Sequence, residues 1–224
     1  MAESIEVYYD VVSPYSWLAF EMACRLREAW RISVKLKPFF LGGVMKASGN
    51  KPPALVSPTK GMHLPTDIAR LAKFYGIPIN HNPENFVRVA FSKGTLGAMR
   101  FITAVDLCCP EKTEELSRQL WIAFHSQGKD ITEDSVISEA ARKAGLTDKC
   151  IEESLADSRS ATTKNRLVSY TQEAIEGGAF GAPWIAVTDR SGKKHMVFGS
   201  DRWEIIADLL GKDYPGPLRH LSKL

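Results

Sequence analysis

The sequence predicts an α/β fold whose sheet elements are parted by a long helical stretch, and three observations carry the prediction. Ile5, Val7 and Tyr9 alternate with Glu6, Tyr8 and Asp10 and run directly into a helical period, so the chain opens strand then helix. From Thr66 to Leu155 apolar residues recur at helical spacing, with no alternating stretch to suggest a strand. Alternation returns late, at Trp184 to Thr188 and His195 to Phe198, on either side of the turn residues Asp189-Arg190-Ser191-Gly192.

The first helix carries Tyr15, Leu18, Met22, Leu26 and Ala29 on one side and Glu21, Arg25 and Glu28 on the other. Ser13 falls at its N-cap and Pro14 at its first position, where a missing N–H costs nothing. Val34, Leu36 and Phe39 to Leu41 read as a second strand, and strand, crossover helix and strand make a right-handed parallel unit. Gly42 to Pro65, rich in Gly, Pro, Ser, Lys and Asn, reads as a long lid or binding loop. Helices then open at Thr66 or Asp67, after Gly94, around Leu116, at Thr132 and at Thr147, with stops at Gly76, Gly128 and Gly145. Two more, Ser160 to Glu176 and Asp201 to Leu210, bracket the hairpin. The order β-α-β, helical block, α-β-β-α is a thioredoxin-like fold with an inserted all-helical domain. Residues 1–60 and 160–224 form the discontinuous thioredoxin-like part, and 61–159 the insertion.

Composition narrows the function. The 224 residues, 44% hydrophobic and 25% charged, suit one good core with a helical attachment. No apolar run approaches the ~20 residues of a membrane helix, and a net charge of +3 without basic runs does not ask for nucleic acid. The N-terminus enters a strand almost at once and resembles neither a secretory signal nor a transit peptide, so the mature protein is expected to start there. Cys24, Cys108, Cys109 and Cys150 show no C-x-x-C spacing and imply a reduced compartment. Five scattered histidines make no metal cluster, and no metal is expected. Ser222-Lys223-Leu224 at the C-terminus is a peroxisomal address, or else a coincidental polar tail.

Three motifs carry chemistry. Ser13-Pro14-Tyr15-Ser16 stands where a thioredoxin-like protein places its redox C-x-x-C, at the start of the first helix. Hydroxyls cannot exchange a disulfide, so the scaffold must borrow a thiol; read alone, Ser13 is an ordinary N-cap. Gly181-Ala182-Pro183 before the third strand matches the scaffold's cis-proline loop, where backbone grips an extended peptide, against a plain trans proline. Ser200 and Asp201 at the last helix suit the ammonium and carboxylate of an α-amino acid, or form a simple cap.

Taken together, the segments Tyr-Asp-Val followed by Ser13-Pro14-Tyr15-Ser16-Trp17, Ser48 to Pro53, Gly94 to Phe101, Gly178 to Pro183 and Phe198 to Arg202 closely resemble the kappa-class glutathione transferases. These are relatives of the 2-hydroxychromene-2-carboxylate isomerases and the DsbA proteins. The resemblance implies a DsbA-like fold and glutathione as cosubstrate. It also implies a homodimer, with the peroxisome as location through an import receptor or, as the alternative, the mitochondrion. Ser13 matches the catalytic serine that donates to the glutathione sulfur, with Pro14 and Tyr15 completing that wall. Asn50 and Lys60 match residues that reach the tripeptide, Lys60 toward its glycine carboxylate. Ala182 with Pro183 matches the backbone grip on the cysteinyl unit, and Ser200 and Asp201 the γ-glutamyl site.

The physical account agrees. A free thiol ionises near about 8.5. A charge-assisted hydrogen bond and a helix end favour the thiolate by about 2 kcal/mol. The expected reaction is conjugation of glutathione to small electrophiles such as activated aryl halides, with reduction of organic hydroperoxides as a second activity. The alternatives are a glutathione-dependent isomerase and, from another class, a non-catalytic thiol-peptide binding or chaperone module.

Overall fold

The alternation at the N-terminus forms β1, Ser4–Tyr9, in the computed structural model, which describes residues 2–80 and 83–224. His81, one of the histidines weighed as a ligand, lies outside them. Ser13 caps α1, Pro14–Trp30, and the chain returns as β2, Ser33–Pro38, parallel to β1 with Tyr9 opposite Pro38. The helices that follow are α2 (Leu41–Ser48), α3 (Pro53–Val56), α4 (Pro58–Tyr75), α5 (Pro83–Val87), α6 (Leu96–Cys108), α7 (Pro110–Trp121), α8 (Asp134–Lys143), α9 (Asp148–Asp157) and α10 (Ala161–Glu176). Strands β3, Trp184–Thr188, and β4, Lys194–Phe198, precede α11, Trp203–Leu210. β3 runs antiparallel to β1 and β4 antiparallel to β3, giving one mixed sheet in the order β2-β1-β3-β4. Tyr8 pairs with Trp184 and Trp184 with Phe198. The ends of β1, β2 and β4 and the start of β3 therefore share one edge.

Helices cover both faces of the sheet. Ile5, Val7 and Tyr9 share a core with Trp17 and Phe20 of α1, Met99 and Phe101 of α6 and Trp121 of α7. The Trp17 and Trp121 rings stack at 6.2 Å. Tyr8 points the opposite way and packs with Phe39, Val44 of α2, Ala174 of α10 and Trp184. One apolar cluster thus runs from the sheet into the intervening helices. Among the described residues no helix is long and apolar enough to cross a membrane.

Thr147 and Ser160 cap α9 and α10 as expected, but other boundaries move. The second strand stops at Pro38, and Leu41 already opens α2. The stretch from Gly42 to Pro65 is not a loop: it folds into α2, α3 and the first turns of α4. Its prolines start helices, since Pro53 and Pro58 take first positions where no N–H is missed, and Gly49 ends α2 with φ 71°. Residues that suggest coil are here helix punctuation. α4 consequently begins well before Thr66 and carries Pro65 inside it. Thr132 does not cap α8; its hydroxyl and N–H bond Asp130, and Glu133 takes the cap position. α11 starts at Trp203, beyond the expected Asp201, because the Trp203 indole donates to the Ser200 carbonyl at 2.8 Å and holds the preceding residues in a turn.

Candidate functional site

At the shared sheet edge β1 runs out through Asp10 into the turn before α1. Ser13 is buried; its Oγ accepts the Ser16 N–H at 3.1 Å, and its own N–H donates to the Asp10 carbonyl at 3.0 Å. The cap engages an oxygen lone pair and leaves the hydroxyl proton to donate. Capping and donation are therefore compatible, and the cap fixes the oxygen in place. Pro14 is buried at the first helical position. Half-buried Tyr15 donates to Asp67 Oδ2 on α4 at 2.6 Å. Its phenol is pushed up first by burial, then by the Asp67 hydrogen bond and the charges of Asp67 and Asp201. Asp201 is thus near enough to be felt at the first helix. Ser16, at the second expected cysteine position, is fully buried, and its hydroxyl has no partner among the described residues.

The Ala182–Pro183 peptide is cis. The Pro183 carbonyl accepts the Gly199 N–H at 3.3 Å, which ties this loop to the turn at Ser200 and Asp201. Gly199 has φ 107°, and a Cβ there would meet Asp201 Oδ1 at 2.9 Å, so the turn requires glycine. Ser200 is buried, with its carbonyl also accepting the Tyr75 hydroxyl at 3.5 Å. Exposed Asp201 pairs with Arg202 at 3.2 Å. Both residues precede the N-terminus of α11 instead of capping it, which corrects the expected placement.

Asn50 follows α2, donates through Nδ2 to the Phe180 carbonyl at 2.7 Å and accepts the Lys51 N–H at 2.9 Å. Its amide is engaged within the chain and ties α2 to the cis-proline loop. Lys60 is exposed in the first turn of α4, the helix that also carries Asp67. The fold therefore gathers Ser13, Pro14, Tyr15, Ala182, Pro183, Ser200 and Asp201 at one edge, with Asn50 beside them; among the described residues no hydrogen bond or ion pair joins Lys60 to the group.

Motif reading passed over Asp10. It is fully buried, and its carboxylate accepts the Val12 N–H at 3.0 Å, the Leu41 N–H at 3.1 Å and the Thr95 hydroxyl at 2.9 Å. One side chain thereby joins the Ser13 turn, the start of α2 and the start of α6. Burial pushes its carboxyl up to about 6, against the pull of the three hydrogen bonds. The available signal was an acid ending a strand whose other residues pack on both faces, where a charge needs partners.

The C-terminal tripeptide lies along α1 and α7. Ser222 Oγ accepts from the buried Arg25 guanidinium at 3.2 Å, and Lys223 meets Glu114 at 3.2 Å.

Known proteins are similar to this chain in sequence and fold. Residues 4–211 match the family described as the DSBA-like thioredoxin domain. The chain is 44% identical to glutathione S-transferase kappa 1 of Homo sapiens, over 97% of this chain and 95% of that protein. It is 43% identical to the protein of the same name in Rattus norvegicus, over 96% and 93%. Among solved structures, 2-hydroxychromene-2-carboxylate isomerase superposes with a TM-score of 0.75 at 22% identity, covering 93% of this chain and 94% of that one.

Proposed function

The chain belongs to the kappa class of glutathione transferases and is an enzyme of that class, and from that premise we propose that Ser13 presents its hydroxyl proton to the sulfur of bound glutathione. The observation that carries this is the cap: an oxygen fixed by the Ser16 N–H, with its proton left to donate, at the positive end of α1. A thiolate in that place gains a charge-assisted hydrogen bond, and the thiol proton leaves to solvent. It then attacks the carbon of an activated aryl halide; the C–S bond forms as the carbon–halogen bond breaks and halide departs. With an organic hydroperoxide the thiolate attacks the terminal oxygen, alcohol departs, and a second glutathione completes the disulfide with loss of water.

The remaining site residues follow from the same reading. Ala182 and Pro183 grip the cysteinyl backbone, the turn at Ser200 and Asp201 takes the γ-glutamyl end, and Lys60 faces the glycine carboxylate. Asn50 acts by holding the cis-proline loop. Leu55, Val56 and Met62, exposed on α3 and the start of α4, offer apolar surface to the electrophile. The isomerase likeness, in sequence at 25% identity as well as in fold, is distant beside the 44% of the transferase and does not displace transfer.

Ser13→Ala should lower kcat/KM for an aryl halide by about 30-fold, the equivalent of about 2 kcal/mol, with a small change in glutathione KM. Ser13→Thr keeps hydroxyl and cap and should restore most of it. Unaltered kinetics in Ser13→Ala would remove Ser13 from the mechanism.

We further propose a homodimer, as the resemblance to the kappa class implies, and its entry into the peroxisome through Ser222-Lys223-Leu224, on the strength of that terminal tripeptide. Receptor binding requires Ser222 to leave Arg25 and Lys223 to leave Glu114. A fluorescent fusion at the N-terminus should be peroxisomal, and one lacking the three residues should not; identical distributions would refute the address.

A further inference from the structure

Of the four cysteines, Cys24 is buried within α1, with its thiol pushed far up by burial. The other three meet in one place. Cys108 closes α6, Cys109 joins α6 to α7, and Cys150 lies in the first turn of α9. With Glu153, Ser154 and Asp157 they line an open surface cavity of about 440 Å³ that shares no residue with the Ser13 site. All three are reduced.

The Cys109 thiol is pushed up to about 12, first by the neighbouring Cys108 thiol, then by burial and by Cys150. Cys108 Sγ lies 3.7 Å from Ser154 Oγ, one turn beyond Cys150 on α9. Cys108 and Cys109 are neighbours in the chain, where an unstrained bridge is not available. Cys109 and Cys150 come from separate elements, yet both line this cavity and pack against the same apolar cluster. Among the described residues no group of three or more His, Cys, Asp or Glu is arranged to hold a metal ion.

We propose that Cys109 and Cys150 form a second thiol site, separate from the transferase centre, that closes to an intramolecular disulfide by exchange with a small disulfide such as glutathione disulfide. The Cys150 thiolate attacks one sulfur of the external disulfide, whose S–S bond breaks and expels one thiolate. A mixed disulfide remains on Cys150. The Cys109 sulfur then gives its proton to solvent, attacks the Cys150 sulfur and expels the second thiolate. Two protein thiols are oxidised and one external disulfide is reduced to two thiols. The bond staples the α6–α7 joint to α9, so the helical block carries a record of the glutathione redox ratio.

The test is peptide mapping of the full chain after incubation with glutathione disulfide and alkylation of the remaining thiols. Trypsin releases residues 101–112, which carry Cys108 and Cys109, and residues 150–159, which carry Cys150. The expected product is these two peptides linked, lighter by two hydrogens than their sum, with only Cys108 alkylated and the link undone by dithiothreitol. Cys108→Ser should keep the link and Cys109→Ser should lose it. A glutathione adduct on Cys108 or Cys150 without any link would overturn the proposal. So would a link that persists in Cys109→Ser, which would assign the bond to Cys108. Mapping the unsubstituted protein decides whether a bridge forms even where a variant fails to fold.

Discussion

Two carboxylates are buried beside α1, and they are held in opposite ways. Glu21, on the flank facing α7, meets the Arg118 guanidinium at 2.8 and 3.3 Å and accepts the Trp17 indole N–H at 3.1 Å. Asp10, in front of the helix, is met by neutral donors: two backbone N–H groups and the Thr95 hydroxyl. Both are sealed from water. An ion pair braces, because neither partner can be removed without stranding the other. An acid among neutral donors is positioned equally well, yet its ionised form lacks a counter-charge. The flank is therefore built to stay as it is, and the front, beside Ser13, is the side that can titrate.

The largest expected effect breaks the brace. Arg118→Met leaves Glu21 uncompensated and removes the hydrogen bonds to Glu114 and Glu115 as well. Urea unfolding at neutral pH should show a loss of about 3–5 kcal/mol. Adding Glu21→Leu should recover most of it, since apolar replacement of both partners is often close to neutral. A single variant within about 1 kcal/mol of the original would mean that water reaches Glu21 and that the pair does not brace α1.

The contrast also marks what was legible in the sequence. Period and punctuation located β1, α1, β3, β4, α9 and α10, because each is bounded by a breaker or a capping hydroxyl such as Ser13, Thr147 or Ser160. The same punctuation misled between Gly42 and Pro65, where Gly49 ends α2, Pro53 begins α3 and Pro58 begins α4; only Val44 is buried in that stretch, so no apolar stripe announced them. Ser200 and Asp201 lie outside their helix, where the Trp203 indole donates to the Ser200 carbonyl three residues back, a local side-chain-to-backbone bond that hydrophobic period does not announce. Asp10 escaped for a different reason. Its partners Leu41 and Thr95 are far along the chain, and only the fold brings them to it.

Asp10 supplies the second prediction, smaller than the first and different in kind, because it depends on pH. Its carboxyl is raised from about 3.9 in an unfolded chain to about 6 in the folded protein. Between those values the folded state binds the extra proton, so stability falls as pH rises. The contribution is fully present below the unfolded value and is lost through the folded one, amounting to about 2–3 kcal/mol between pH ~4 and pH ~6–7. Asp10→Asn keeps the volume and removes the titration, but turns an amide nitrogen toward donors that need an acceptor. That mismatch adds a cost independent of pH, so the slope and not the offset is diagnostic. In urea unfolding across this range, the stability of the original protein relative to the Asn variant should decline steadily as pH rises. If the Asp10→Asn and original curves run parallel instead, the front acid is as firmly ionised as if a cation were paired with it, and the distinction between the two sides of α1 disappears.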